Sequence, residues 1–288
     1  LKMPFATRSP ISWFEAFFTA TSAVTVTGLT VIEPATVLSI PGQVLITILV
    51  QIGGLGFVTF AVLAAITLGK RISLQQQALA LEAFNQTSVS RIRQTAFSVL
   101  KIAFTIQGIT MLWLTFWWGQ RMELKQAAYQ AYFHVTMAFN NAGMALYENS
   151  LIGLTHDPLS IFTLSLMIIL GGLGFPVIMN LLRKKRWSLL SAYSKIILLG
   201  TLALNVLGFL AIWTFEHKNA GTIGHLPWFE QATASWLQII SSRTSGFVAM
   251  DAANMKDSST LLIMVYMFIG GGSLSTASGI KLGTFIVL

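Results

Sequence analysis

Five runs of the chain approach the roughly 20 apolar residues that a helix needs to cross a bilayer. Residues 43–68 and 158–182 carry no charge, and residues 196–215 form a third long apolar run. Residues 102–118 end in the cluster Trp113, Trp117 and Trp118, while residues 258–280 are uncharged but interrupted by glycines. Three further stretches, 11–26, 126–140 and 228–242, are semi-apolar and too short or too polar to span. The pattern therefore predicts five crossing helices and three re-entrant helices that enter the membrane and turn back.

Charge orients this arrangement. Residues 70–101 hold Lys70, Arg71, Arg91, Arg93 and Lys101 against the lone acid Glu82, and residues 183–195 hold Arg183, Lys184, Lys185, Arg186 and Lys195 against none. By the positive-inside rule both loops, 70–101 and 183–195, face the cytoplasm. The re-entrant stretches then open to the other side, with Glu33, Glu123, Glu148, Asp157, Glu216, Glu230, Asp251 and Asp257. An acidic outer face would attract cations.

Composition agrees. Of 288 residues 54% are hydrophobic and only 10% charged, and the mean hydropathy is +0.70. A soluble domain carries about 25% charged residues, so a soluble enzyme is excluded, as is disorder. The net charge of +8 reports loop topology rather than nucleic-acid binding. There is no cysteine, hence no disulfide and no thiolate metal site. The four histidines, His134, His156, His217 and His225, have no metal-ligand spacing, and no nucleotide or nucleophile motif accompanies them.

The spans also repeat. GGLGF occurs at residues 53–57 and 171–175, and a third glycine run follows at Gly270, Gly271 and Gly272. Each run is preceded by a re-entrant stretch ending in small residues and one glycine. These turns read Thr25, Val26, Thr27, Gly28; Asn140, Asn141, Ala142, Gly143; and Arg243, Thr244, Ser245, Gly246. The distance from turn glycine to the second glycine of the run is 26, 29 and 25 residues. Matched register of this kind marks a repeated unit of helix, re-entrant loop and helix.

A helix that stops halfway through the membrane presents a C-terminus with about half an elementary negative charge. Carbonyls of the following turn can replace a cation's hydration shell. Irregular backbone at such depth is tolerated only where it is buried or lines a wet cavity. The twelve turn residues are therefore candidate ion-binding residues acting mostly through backbone carbonyls. Residues 270–279 are too polar and flexible for a continuous helix, so the third outgoing span should break there and expose the hydroxyls of Ser273, Ser275, Thr276 and Ser278.

These residues resemble a known family. FFTATSAVTVTGLTV at 17–31, QIGGLGF at 51–57, SSRTSGF at 241–247 and GGGSLSTASGIKLGTF at 270–285 are similar to the Trk/Ktr/HKT superfamily of potassium transporters, and within it to the bacterial KtrB-type translocating subunits. The resemblance implies an all-α polytopic membrane protein of repeated M1–P-loop–M2 units around a pseudo-fourfold cation pore. Gly28, Gly143 and Gly246 would be filter glycines; Gly270, Gly271, Gly272, Ser273, Ser275, Thr276, Ser278 and Gly279 would form a gating loop. It further implies potassium uptake across the plasma membrane, sodium dependence, a homodimer, and regulation by cytoplasmic RCK-type nucleotide-binding subunits facing residues 73–94 and 183–195. No cofactor is implied, potassium being cargo, and no nucleic-acid partner.

On this pattern residues 1–71 are the pore loop and outgoing helix of repeat one, 72–101 a linker, 102–186 repeat two and 187–288 repeat three, with the first M1 helix and the fourth repeat absent. The remaining expectations concern single residues. Gly53, Gly54, Gly56, Gly171, Gly172 and Gly174 should permit close helix packing, and Pro176 should kink its span. Arg243 should pair with an acid such as Glu230 or Asp251. The alternative reading is another secondary transporter with broken helices around a small substrate; inverted repeats, which would enter from alternate sides, discriminate it.

Overall fold

The computed structural model describes residues 1–56, 89–147 and 149–288. The end of the first apolar run beyond Gly56, the basic stretch up to residue 88, Glu82 and Glu148 lie outside the described residues.

Among the described residues the chain is helical, without a named strand. Helix α1 covers Trp13–Val24, α2 Pro34–Val37 and α3 Ile40–Gly54. A long α4, Val89–Trp118, is followed by α5, Leu124–Phe139, and then by α6 and α7, Pro158–Leu173 and Phe175–Lys184. The third set is α8, Ala192–Glu216; α9, Trp228–Thr244; α10, Asp257–Phe268; and α11, Leu282–Val287. The re-entrant stretches correspond to α1, α5 and α9.

Residues 96–118 of α4 and all of α8 are long and apolar enough to cross a membrane, and only 28% of each apolar window is buried. Their exposed residues are mostly apolar, among them Phe104, Ile109, Leu112 and Phe116 on α4, and Leu199, Leu202, Leu207 and Leu210 on α8. Such a face is stable against lipid and not against water.

The runs at 158–182 and 258–280 are interrupted, as expected of them, though the first not where Pro176 predicts. Residues 158–184 form two helices bent by 98°. The break is at Gly174, whose φ of 92° is open to glycine and strained for other residues. Pro176 is not the kink: it lies in the first turn of α7, where its missing N–H is harmless. Helix α10 has only 12 residues. After it the chain leaves helical geometry until Leu282.

Each of the three short helices packs against the helix that follows in its own unit, α1 on α3, α5 on α6 and α9 on α10. Successive units interlock as well, because α5 also packs on α3 and α9 on α6. Helix α5 is thus enclosed, and Phe133, His134, Val135, Thr136, Met137, Ala138 and Phe139 are all buried. Helix α1 buries only Ala16, Thr19, Ser22 and Ala23, leaving Trp13, Phe14 and Phe17 exposed.

Two buried acids fasten helices within the second and third units. Asp157, the N-cap of α6, accepts from Trp117 Nε1 at 3.0 Å, Arg121 Nη1 at 2.9 Å and Ser160 Oγ at 2.8 Å. Glu216 ends α8 and accepts from Ser259 Oγ and Lys256 N at the start of α10, and from Thr222 Oγ1 and Asn219 Nδ2. Both acids sit near helix N-termini, where negative charge is favoured. For two of the acids expected on the outer face this is a correction: Asp157 and Glu216 are 7% and 0% exposed and fasten helices instead of facing solution, whereas Glu123, Asp251 and Asp257 are exposed.

Candidate functional site

The three pore helices end in turns that touch one another. Helix α1 closes with Thr25 as cap; Val26 N–H bonds Ala23 O at 3.3 Å and Thr27 N–H bonds Ser22 O at 2.9 Å. Helix α5 closes the same way, with Asn141 N–H on Ala138 O at 3.1 Å and Ala142 N–H on Met137 O at 2.9 Å. This paired pattern is the Schellman motif, which needs a left-handed residue just past the cap. That residue is Val26 (φ 53°) in one turn and Asn141 (φ 58°) in the other. Asparagine tolerates this conformation; a β-branched valine is an outlier there, held by its surroundings.

Helix α9 runs two residues further into its turn. Ser245 remains right-handed and it is Gly246 N–H that reaches back to Ser241 O, at 3.1 Å. Gly28, Gly143 and Gly246 all have positive φ, of 81°, 65° and 84°. A methyl group on Gly28 would lie 2.4 Å from Ala142 O, and one on Gly143 2.1 Å from Ser245 O. The side of Gly246 is open, the nearest atom being Gly143 Cα at 3.9 Å. Three helix C-termini, each carrying partial negative charge, therefore converge with their turns in backbone contact. None of the twelve turn residues is acidic.

The glycine runs permit this convergence, by two different means. A methyl on Gly53 would strike Val24 O at 1.9 Å, one on Gly171 would strike Phe139 O at 1.8 Å, and one on Gly54 would strike Asn140 Oδ1 at 2.1 Å. These three glycines let pore-helix ends approach the outgoing helices. Gly56 and Gly174 have φ of 85° and 92°, so backbone conformation also requires glycine there, and a methyl on Gly174 would in addition lie 2.4 Å from Ser273 O. Gly172 has ordinary space, with Ala277 Cβ at 3.8 Å, and its carbonyl accepts from Gly272 N at 2.8 Å.

Residues 270–279 form a compact loop closed at its neck. Gly270 N–H bonds Ile280 O at 2.8 Å, and Ile280 N–H bonds Phe268 O at 3.2 Å. The loop fills the corner made by the bent helix pair: Thr276 N–H bonds Gly171 O at 3.1 Å and Phe175 N–H bonds Leu274 O at 3.0 Å. Tyr193 Oη accepts from Ser273 N at 2.9 Å. Ser273, Ser278 and Gly279 are exposed, and Gly270, Gly271 and Gly272 are buried. Two of the hydroxyls expected to be exposed are not. Thr276 is buried and donates to Phe139 O at 2.9 Å, and Ser275 is half-buried.

Arg243 corrects a further expectation. Its guanidinium donates to Gly270 O at 2.7 Å, to Asn205 Oδ1 at 3.3 Å and to Ile269 O at 3.4 Å, and the residue is 8% exposed. The acids proposed for it are engaged elsewhere: Glu230 with His156 at 2.8 Å, and Asp251 with Ala253 N and Asn254 Nδ2. The reason is geometric. At the last turn of α9 the side chain meets the unwound backbone after α10, whose free carbonyls substitute for a carboxylate. Its side chain thus faces the loop and not a neighbouring turn. A cavity of about 20 Å³ beside it, lined also by Thr201, Asn205, Thr244 and Gly271, is large enough for one water.

Other residues were not singled out from the sequence. Gln51 Oε1 accepts from Asn140 Nδ2 at 2.9 Å, and Asn205 holds Arg243. Each is a polar side chain inside an apolar span, which is the signal that could have found it.

The chain has clear relatives. Residues 2–288 match the family described as TrkH, cation transport protein. The whole chain is 38% identical to the Ktr system potassium uptake protein B of Bacillus subtilis (strain 168), covering 65% of that protein. It is equally 38% identical to the protein of the same description from Vibrio alginolyticus, covering 64% of it. It is 33% identical to the potassium/sodium uptake protein NtpJ of Enterococcus hirae, again over 64% of that protein. The chain thus spans just under two thirds of these relatives. The crystal structure of the potassium transporter TrkH from Vibrio parahaemolyticus superposes with a TM-score of 0.73 over 96% of this chain and 54% of that one, at 21% identity. The likeness shows a shared fold, and with the whole-length family match it establishes that the chain belongs to the TrkH family of cation transport proteins.

Proposed function

We propose that this chain supplies three filter turns of a potassium-uptake pore. The observation that carries the reading is the meeting of three pore-helix C-termini at glycine turns in backbone contact. Carbonyls at such a point can stand in for the water of a dehydrated cation. The three ends are all C-termini; a site for an anionic substrate would instead gather N-termini. Potassium is the cargo by likeness to the Ktr uptake proteins, and the potassium/sodium uptake relative supports a role for sodium. Residues 1–71, 102–186 and 187–288 are the three units, joined by the linker 72–101.

The same reading places the protein in the plasma membrane, as a homodimer, with 183–195 on the cytoplasmic side. There the exposed basic residues Arg183, Lys184, Lys185 and Arg186 would meet nucleotide-binding RCK-type subunits. Residues 270–279, seated against the second turn, act as the gate. The test is growth of a potassium-uptake-deficient bacterium carrying the full-length protein at low potassium, with Gly28→Ser alongside. Rescue is expected, with a weakened preference for potassium over sodium in the variant. Absence of rescue overturns the reading; an unaltered preference overturns the role of Gly28.

A further inference from the structure

We infer that Asn141 couples the 270–279 loop to the filter turns, so that release of the loop changes how the filter binds its cation. The inference rests on the pore reading above and goes beyond it by naming a positioning residue. Asn141 Nδ2 donates to Thr276 Oγ1 in the loop at 2.8 Å, and Asn141 Oδ1 accepts from Thr244 Oγ1 in the third turn at 2.9 Å. One side chain, 1% exposed, therefore joins the second turn, the third turn and the loop. A carboxamide can do this because it donates and accepts at once. The corresponding left-handed position of the first turn is Val26, which has no polar atom to offer.

Two consequences follow when the loop departs. Asn141 Nδ2 loses its one short side-chain acceptor while remaining enclosed; its other contacts, to the α5 backbone at Phe139 O and to Ile168 O in α6, are long, at 3.5 and 3.4 Å. A buried donor left unpaired is unfavourable, so the amide reorients and releases Thr244. Phe139 O also loses the Thr276 hydroxyl. That carbonyl is among the orphan groups at the end of α5. Freed of its donor, it makes the base of the second turn more negative and more attractive to a cation.

The test is a mutant cycle on the full-length protein, reading the potassium concentration for half-maximal uptake and the potassium-to-sodium preference. Thr276→Val removes the hydroxyl and keeps the shape; Asn141→Gly removes the amide at a φ that glycine accepts. Thr276→Val alone should shift both readouts by about fivefold or more, within the usual range of site coupling. In the Asn141→Gly background the same change should have a smaller effect, losing the share carried by the amide and keeping only the share that acts through Phe139 O. Thr276→Ser, which restores the hydroxyl, should behave as the parent. Thr244→Val cuts the amide from the third turn alone and should also blunt the Thr276→Val effect, which keeps the test open if Asn141→Gly does not reach the membrane. Equal Thr276→Val effects in all backgrounds overturn the inference. A parent protein that carries no potassium overturns the pore reading itself.

Discussion

Replacing Gly143 by alanine adds one methyl group at the tightest point between two turns. The new carbon would lie 2.1 Å from Ser245 O and 2.9 Å from the carbonyl carbon of Gly246. Carbon and oxygen pack comfortably near 3.5 Å, so the turns must separate by about 1 Å or more. Overpacking of that kind costs about 1–3 kcal/mol. Holding alanine at a φ of 65° adds about 1–2 kcal/mol. Gly246→Ala meets the second penalty and not the first, since its nearest neighbour is 3.9 Å away. The two variants should therefore differ by about 1–3 kcal/mol, which is roughly 5- to 150-fold in an equilibrium constant. Uptake at limiting potassium in a deficient host, normalised to protein in the membrane, reads this difference. Gly143→Ala is expected to lose most uptake, Gly28→Ala (2.4 Å from Ala142 O) to follow closely, and Gly246→Ala to retain the most. If Gly246→Ala were as damaging as Gly143→Ala, close approach of the turns would not be what the glycines provide.

Deleting residues 273–278 should raise potassium flux, because the loop that docks on the second turn is lost; unchanged uptake kinetics would remove the gate assignment. Arg243→Lys keeps the charge but replaces a guanidinium fork by a point donor, so it should loosen Ile269 and Gly270 and destabilise by about 1–3 kcal/mol. Thermal unfolding in detergent reads this, and an unshifted midpoint would show that the fork is not what holds the loop. Glu216→Gln sets an amide N–H against two of the four donors that converge on the carboxylate. It should lower the unfolding midpoint through a loss of about 2–5 kcal/mol; a midpoint equal to that of the parent would mean that the acid is not the fastening of α8 to α10.

The repeat was legible in the sequence because it rests on short-range rules. A helix that stops halfway needs a small or polar residue at the stop and a glycine at a later positive-φ position of the turn, and Thr25 to Gly28 and Asn140 to Gly143 carry both in the same register. The third turn shows where that reasoning thins. Arg243 to Gly246 aligns by eye with the other two, yet α9 extends through Thr244 and its glycine alone takes the left-handed position. Thr244 stays in the helix, whereas Val26 and Asn141 at the same place in their turns are driven left-handed by the Schellman closure. The composition of the turn is local; the residue at which the helix lets go depends on what the turn packs against.

Long-range partners were not legible, and Arg243 shows why. A buried cation invites the search for an anion, and only acids are visible to a search by residue type. The structure satisfies it with carbonyls that exist only because the chain unwinds after Phe268. The same unwinding places Thr276 on Asn141, 135 residues earlier in the chain. The glycines that break α10 thus do more than interrupt a span: they free backbone acceptors for Arg243 and bring a threonine to the second turn. A mutation that merely restored helix through Gly270, Gly271 and Gly272 would therefore withdraw the carbonyls that hold Arg243 and the loop's bond to Asn141 together, and leave a buried charge with Asn205 alone. That outcome is far costlier than the glycines' own low helix propensity of about 1 kcal/mol each.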